Sequence, residues 1–206
     1  WCPNYPLPTG SNTRQPLESH GFSHVHHFYT GRNRLALSAF NSFCISPELK
    51  SLLTTVALRI TKRYGLTYQS GTWGAGGGPT NGTLYIPSLG KELNILEMLT
   101  SAISKIDSKS EIRNSCTYIS TQSAQHLGLP KNSIDYAFID PPFGANIMYS
   151  EMNFLWEGWL GVQTNNTCET IESRAQGKSL TDYRKLMLEA LSQVYEALKP
   201  GRWVTV

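Results

Sequence analysis

Apolar positions fall into helical and strand-like periods along this chain, separated by stretches rich in glycine and small polar residues. Residues 1 to 27 are rich in Pro, Asn, Ser and Gly with little periodicity, which predicts an irregular arm. Thr30 to Phe43 spaces Leu35, Leu37, Phe40 and Phe43 among polar residues, as a helix does. Ser46-Pro47-Glu48 opens a second helix with an N-cap serine, a proline at the first helical position and an acid in the first turn. Leu49, Leu52, Leu53, Val56 and Ile60 keep its spacing until Tyr64-Gly65 ends the run. Next, two β-prone pieces, Leu66 to Gln69 and Thr83 to Pro87, flank a glycine-rich run and an Asn81-Gly82 turn signal, which predicts a hairpin. Leu93 to Ile106 follows as an amphipathic helix striped by Leu96, Leu99, Ala102, Ile103 and Ile106.

The rhythm then changes. Cys116 to Ser120 reads as a short strand, Ser123 to Leu127 as a loop or single turn, and Ser133 to Ile139 as a strand. The continuous apolar run from Tyr136 to Ile139 predicts a strand buried on both faces of a parallel sheet. Tyr149 to Leu160 is a strongly apolar helix. Ser179 to Leu198 is another, opened by a capping-box pattern, Ser179-x-x-Asp182, and striped by Tyr183, Leu186, Met187, Ala190, Leu191, Val194 and Leu198. Lys199-Pro200-Gly201 stops it, and Arg202 to Val206 begins a further strand. This order implies an α/β class with a parallel sheet covered by helices. The expected division is 1–112, holding the arm, two helices, the hairpin and a helix, followed by 113–206, a partial α/β core.

Composition narrows the picture. A chain of 206 residues, 40% hydrophobic, buries a real core and suits one domain with at most a small appendage. No apolar run approaches the ~20 residues that span a bilayer, so no membrane partner is expected. Trp1 and the closing "RWVTV" both look like cuts through a longer protein, and the expectation is an excised piece. The four cysteines, Cys2, Cys44, Cys116 and Cys168, lie far apart with no CxxC pair, which points to free thiols in a reducing, cytoplasmic setting. Residues 1 to 65 carry seven Lys or Arg against Glu18 and Glu48, so a polyanion would find this third attractive. Arg32 and Arg34 are the candidates to meet phosphates, with simple exposure as the plain alternative. His20, His24, His26 and His27 match no helical histidine pair with a glutamate, and no metal is expected. The "WGAGGGP" run is no phosphate loop, because no Gly-Lys-Ser/Thr follows.

The chemistry concentrates at Asp140. It falls at the C-terminal end of the expected strand, where open α/β sheets bind ligands. Pro141 and Pro142 fix φ and supply no N–H, so Asp140 and the two prolyl carbonyls make a stiff, acceptor-rich loop with the Phe143 ring beside it. Such a loop suits a flat substrate with an exocyclic amine: acceptors hold the amino hydrogens, the ring stacks, and the nitrogen lone pair is left facing an electrophile held in line. Asn146 and Tyr149 are the nearer candidates for further substrate contact. Phe154, Trp156 and Trp159 read as core, and Glu151 and Glu157 as surface or helix-end charges.

"DPPF" resembles motif IV, the D/N/S-P-P-Y/F/W signature, of the amino-methyltransferases that methylate adenine-N6 or cytosine-N4 in DNA. The wider "SIDYAFIDPPFGANIMYSEMNFLWEGWLG" and "ALKPGRWVTV" look like a group of large bacterial and archaeal DNA methylases, a likeness covering roughly residues 114 to 206. "GFSHVHHFYTGRNRLALSAF" is similar to the F-T-x-R-x-x-L-A-L stretch of the same group. The resemblance implies a Rossmann-like methyltransferase sheet with flanking helices, S-adenosylmethionine as cofactor, and DNA as partner with the target base flipped out of the duplex. It implies that Asp140 accepts from the target amine, that Pro141 and Pro142 shape the loop and supply the second acceptor, and that Phe143 stacks on the base. Adenine is favoured, because an Asp opening is commoner in adenine enzymes. Two departures stand beside it. The family's F-x-G-x-G cofactor motif has no match and is expected in the remainder of the polypeptide. Thr121-Gln122-Ser123-Ala124 lacks the usual acid, leaving the cofactor's adenine to Ser123 or the backbone. Cytosine-N4, RNA and protein-glutamine methylation remain alternatives, as does a catalytically silent nucleic-acid-binding remnant.

Overall fold

The computed structural model describes residues 1–69, 72–73, 78–107 and 118–206. The chain divides into two compact units, Trp1–Ser115 with Tyr149–Thr164, and Cys116–Met148 with Asn165–Val206. The helix after the Asp140 loop thus belongs to the first unit, whereas a division at 112/113 keeps it with the loop.

The first unit is helical. It contains α1 (Ser11–His20), a 3-10 turn (Val25–Phe28), α2 (Gly31–Phe43), α3 (Pro47–Arg59), a small hairpin of β1 (Tyr68–Gln69) and β2 (Thr72–Trp73), α4 (Ile95–Asp107) and α5 (Tyr149–Leu160). Helix α3 is its axis, packing on α2, α4 and α5. Leu52, Leu53, Val56 and Ala57, at helical spacing, are buried there, and Leu53, Val56 and Ala57 join Val25, Phe28, Leu37, Phe154, Leu155 and Trp159 in one apolar core. Each such large side chain contributes about 1.5–3 kcal/mol by leaving water. The expected Ser46 cap forms, its Oγ accepting from Leu49 N–H, and Thr30 Oγ1 caps α2 likewise by accepting from Asn33 N–H.

Three expectations are corrected in this unit. Residues 1 to 27 are not an irregular arm, since α1 occupies Ser11–His20. Its signal is hidden because it is polar, contains Pro16 and has no side-chain cap of its own. The cap comes from a distant place: the Glu151 carboxyl on α5 accepts from Asn12 N–H at 2.8 Å. Glu151 is therefore not a surface charge but fully buried, at the positive end of α1. The hairpin also differs. β1 pairs antiparallel with β2, in the register Tyr68↔Trp73 and Gln69↔Thr72, and Thr83–Pro87 forms no strand. The alternation there is real, with Leu84 and Ile86 buried and Tyr85 exposed, but the partner is a side chain. The Gln15 amide donates to Ile86 O and accepts from Ile86 N–H, both at 3.0 Å, satisfying the backbone as a strand would. Residues 74–77 of the glycine-rich run lie outside the described residues.

The second unit holds a two-stranded parallel sheet, β3 (Ile134–Phe138) beside β4 (Leu198–Thr205), with α6 (Leu180–Ala197) running directly into β4. The register jumps from Ile134↔Leu198 to Tyr136↔Trp203, so Lys199 to Arg202 loop out of the ladder with Gly201 at φ 73°. Lys-Pro-Gly does end the helix, but β4 begins at Leu198 rather than Arg202 because the bulge interrupts the strand without terminating it. The bulge turns two cations onto β3: Lys199 Nζ and Arg202 Nη2 meet the Asp135 carboxylate at 2.8 and 3.2 Å. The capping box expected at α6 forms, Asp182 N–H donating to Ser179 Oγ and Ser179 N–H to Asp182 Oδ2.

The expected burial of β3 on both faces is not found. Tyr136 and Phe138 are largely exposed, as is Trp203 on β4, because among the described residues the sheet has no third strand. Of the strand expected over Cys116 to Ser120, Cys116 and Thr117 lie outside the described residues, and Tyr118–Ser120 carry none. The described architecture is thus mixed helix and strand with a small parallel sheet. Among the described residues, Cys2, Cys44 and Cys168 are free thiols, and no helix is long and apolar enough to cross a membrane.

Candidate active site

The Asp140 loop begins where the ladder stops. Ile139 N–H donates to Thr205 O at 2.9 Å, the last backbone bond before a segment that has no N–H at two successive positions. The loop is then fixed from three sides. Asn146 N–H closes a turn on Phe143 O at 2.9 Å, Glu172 N–H donates to Gly144 O at 3.2 Å, and the Tyr183 hydroxyl of α6 donates to Pro142 O at 2.8 Å. Gly144 adopts φ 51°, a left-handed value that favours glycine in this turn.

A cleft of about 290 Å³ opens between this loop and α6. Asp140, Pro141 and Pro142 form one wall; Met187, Ala190, Leu191 and Val194 form the other, with Ala124, Ile139 and Thr170 completing it. The walls are mainly apolar, and Asp140 is the one acid on them. Its carboxylate is exposed and, among the described residues, makes no hydrogen bond or ion pair. Asp135, one strand-length earlier, is different: a hydrogen bond from Lys199, then the charges of Lys199 and Arg202, hold it below the usual carboxylate range. Phe143 lies immediately beyond the loop with 73% of its surface exposed. The arrangement offers an unpaired acceptor, a rigid apolar slot and an accessible aromatic face within four consecutive residues.

Other candidate residues distribute unevenly. Ser123 is next to Ala124 of the cleft, but its hydroxyl is engaged with the Gln125 side chain, and its carbonyl accepts from His126 N–H in a local turn. Gln125 is itself buried, donating to Cys168 O and Thr170 Oγ1 at 3.4 and 3.3 Å, so Ser123 supports the wall rather than lining it. Asn146 is exposed at the end of the loop turn. Tyr149, Arg32 and Arg34 all lie in the first unit, and Arg32 is ion-paired with Glu92 at 3.1 Å. Of the two prolyl carbonyls expected as acceptors, that of Pro142 is already engaged by Tyr183, which leaves the Pro141 carbonyl for a ligand.

Sequence reasoning had not assigned the cleft wall on α6 or the hydroxyl of Tyr183. The signal was present: Tyr183, Met187, Ala190, Leu191 and Val194 stand at i, i+4, i+7, i+8 and i+11, one helical face. Such a stripe reads as core, yet Tyr183, Met187, Ala190 and Val194 are only half-buried and Leu191 is exposed, and the last four line the cleft. Compared with known proteins, the chain matches no family model, no curated protein and no solved structure.

Proposed function

We propose that the second unit carries the target-binding half of a methyltransferase acting on the exocyclic amine of a nucleobase, with adenine-N6 in DNA as the substrate. The observation that carries this reading is the placement of Asp140 at the end of a parallel strand, unpaired, on a stiff proline-walled cleft beside an exposed aromatic ring. An amino group entering the cleft would donate one hydrogen to the Asp140 carboxylate and the other to the Pro141 carbonyl. Phe143 would cover the base face. With both hydrogens held, the nitrogen lone pair stands out of the base plane, aimed away from the loop. A base can reach such a site only outside the duplex stack.

S-adenosylmethionine would supply an electrophilic methyl group to that lone pair. The described residues do not complete a site for it. No glycine-rich strand-to-helix turn is found among them, and the Ser123 hydroxyl is already engaged. This chain's own part is therefore to hold and orient the amine and to accept its proton, directly at Asp140 or onward to water.

The test is transfer of labelled methyl from S-adenosylmethionine to unmethylated DNA, by this chain and by any longer polypeptide that contains it, followed by nucleoside analysis. N6-methyladenine is the expected product, and Asp140→Ala should abolish it without unfolding the second unit. Equal turnover by Asp140→Ala would overturn the reading. Product confined to RNA or protein would keep the loop chemistry and replace the substrate.

A further inference from the structure

The first unit contains a separate cleft of about 510 Å³, lined by Cys2, Pro3, Asn4, His26, Gly31, Arg34, Leu35 and Ser38. Of a cluster of three imidazoles, His26 lines it, and the ring centroids lie 4.3 Å apart for His26 and His27, 5.6 Å for His24 and His26, and 5.7 Å for His24 and His27. Hydrogen bonds order them. His27 Nδ1 accepts from Ser23 N–H at 3.1 Å, which places the proton of the neutral ring on Nε2, and His26 bonds to the Pro3 backbone. Burial first, then the charges of neighbouring His, Lys62 and Arg34, keep His27 below the ordinary histidine range. Burial, His27, Arg34 and His24 do the same for His26. Lys62 is lowered by burial and by Arg34.

The charged groups around these rings are all cations. Glu92, which meets the start of α2, is taken up by Arg32 and by the Thr30 hydroxyl, and the first turn of α2 contains no acid. Among the described residues no group of three His, Cys, Asp or Glu is placed to hold a metal ion, and a gathering of cations would repel one. An anion would relieve the repulsion.

We propose that this cleft binds a phosphate group, gripped by the Arg34 guanidinium, the Asn4 amide and, in the protonated His26 ring, the N–H that the Pro3 carbonyl does not take. The Arg34 fork matches a phosphate's paired oxygens. At the start of α2, Thr30 satisfies Asn33 and Arg34 N–H, and Gly31 of this helix terminus, whose first N–H groups have no partner within the helix, lines the cleft. Ser38 is not a donor here, since its hydroxyl is bonded to Arg34 O at 2.8 Å. The ligand is a free phosphate, a nucleotide's terminal phosphate or a backbone phosphodiester; the site stands whether or not the second unit transfers methyl groups. Because the bound anion favours the charged imidazole, binding takes up protons at His26 and His27 and tightens as pH falls.

The experiment is titration of the chain with inorganic phosphate, followed by NMR of the histidine Cε1–H resonances, with His20 and His126 as internal references. Saturable movement of His26 and His27 is expected, with raised titration midpoints. Sulfate, whose charge is constant over this range, should bind more tightly near pH 6 than near pH 7.5. Arg34→Gln, at an exposed position, should weaken binding at least tenfold, whereas Lys50→Gln on the exposed side of α3 should leave it unchanged. Displacement of phosphate by a short oligonucleotide identifies a backbone phosphodiester as the source, and its absence identifies a free phosphate or nucleotide. Stationary His26 and His27 resonances, or equal weakening by Lys50→Gln, would overturn the proposal.

Discussion

A methyl group at position 10 would lie 2.1 Å from the Glu151 carboxyl. The backbone there is extended and would accept any residue, so glycine is required for space alone. Because Glu151 is buried and caps α1, Gly10→Ala should displace the carboxyl and lower stability by about 1.5–3 kcal/mol. In chemical denaturation, the double variant Gly10→Ala/Glu151→Ala should lose no more than Glu151→Ala alone. Neither residue advertises this in the sequence, because each looks ordinary within its own segment and the contact joins positions far apart. Tyr183 is a similar case in the second unit. Tyr183→Phe removes only the hydroxyl that holds Pro142 O, worth about 0.5–1.5 kcal/mol. The expected result is faster hydrogen exchange at Asn146 N–H, by up to about tenfold, with α6 intact. Unchanged exchange there would mean that the prolines and the two backbone bonds hold the loop without Tyr183.

Among the elements, those with local signals were legible. Helices α2 and α5 fall where apolar spacing places them, and α3 and α6 where spacing and caps do, because an N-cap with an N1 proline or a capping box is written within four residues. The Asp140 loop was legible for the same reason. What was missed is non-local: α1 waits for Glu151, Thr83–Pro87 pairs with a glutamine amide, and the β4 bulge is held by Asp135. The capping box also makes a testable element. Ser179→Ala should cost about 1 kcal/mol in the second unit. Hydrogen bonds from the Ser179 side chain and backbone hold Asp182 below its ordinary carboxylate range, as Lys199 and Arg202 do for Asp135. A depressed folded-state pKa gives stability that is present above the unfolded value and lost as pH falls through the folded one. Acid titration followed by circular dichroism should therefore show helix and sheet of this unit loosening below about pH 4, with Asp182→Asn flattening part of that response.

At the scale of the whole molecule, the apolar core sits in the first unit, while the second buries Ile171, Ala197 and Leu198 and leaves Tyr136, Phe138, Tyr195 and Trp203 in water. Native-state hydrogen exchange should therefore be slowest at Leu53 and Val56 in α3 and distinctly faster at Tyr136 and Ala137 in β3. Equal protection would show that something covers the sheet. The parallel pairing was foreseeable from the order of elements, whereas the passage of Tyr149–Thr164 into the first unit was not, since an apolar helix does not name its partner. That passage bears on the order of synthesis. Val25, Phe28 and Leu53 are made early, yet Phe154, Leu155 and Trp159, which close their core, follow the end of the first segment by about 44 residues, or about 2–9 s of elongation. During that interval the nascent chain carries an open hydrophobic surface, so the first unit completes its fold only after Cys116–Met148 of the second has been translated, and a ribosome-bound chaperone has a defined interval in which to act.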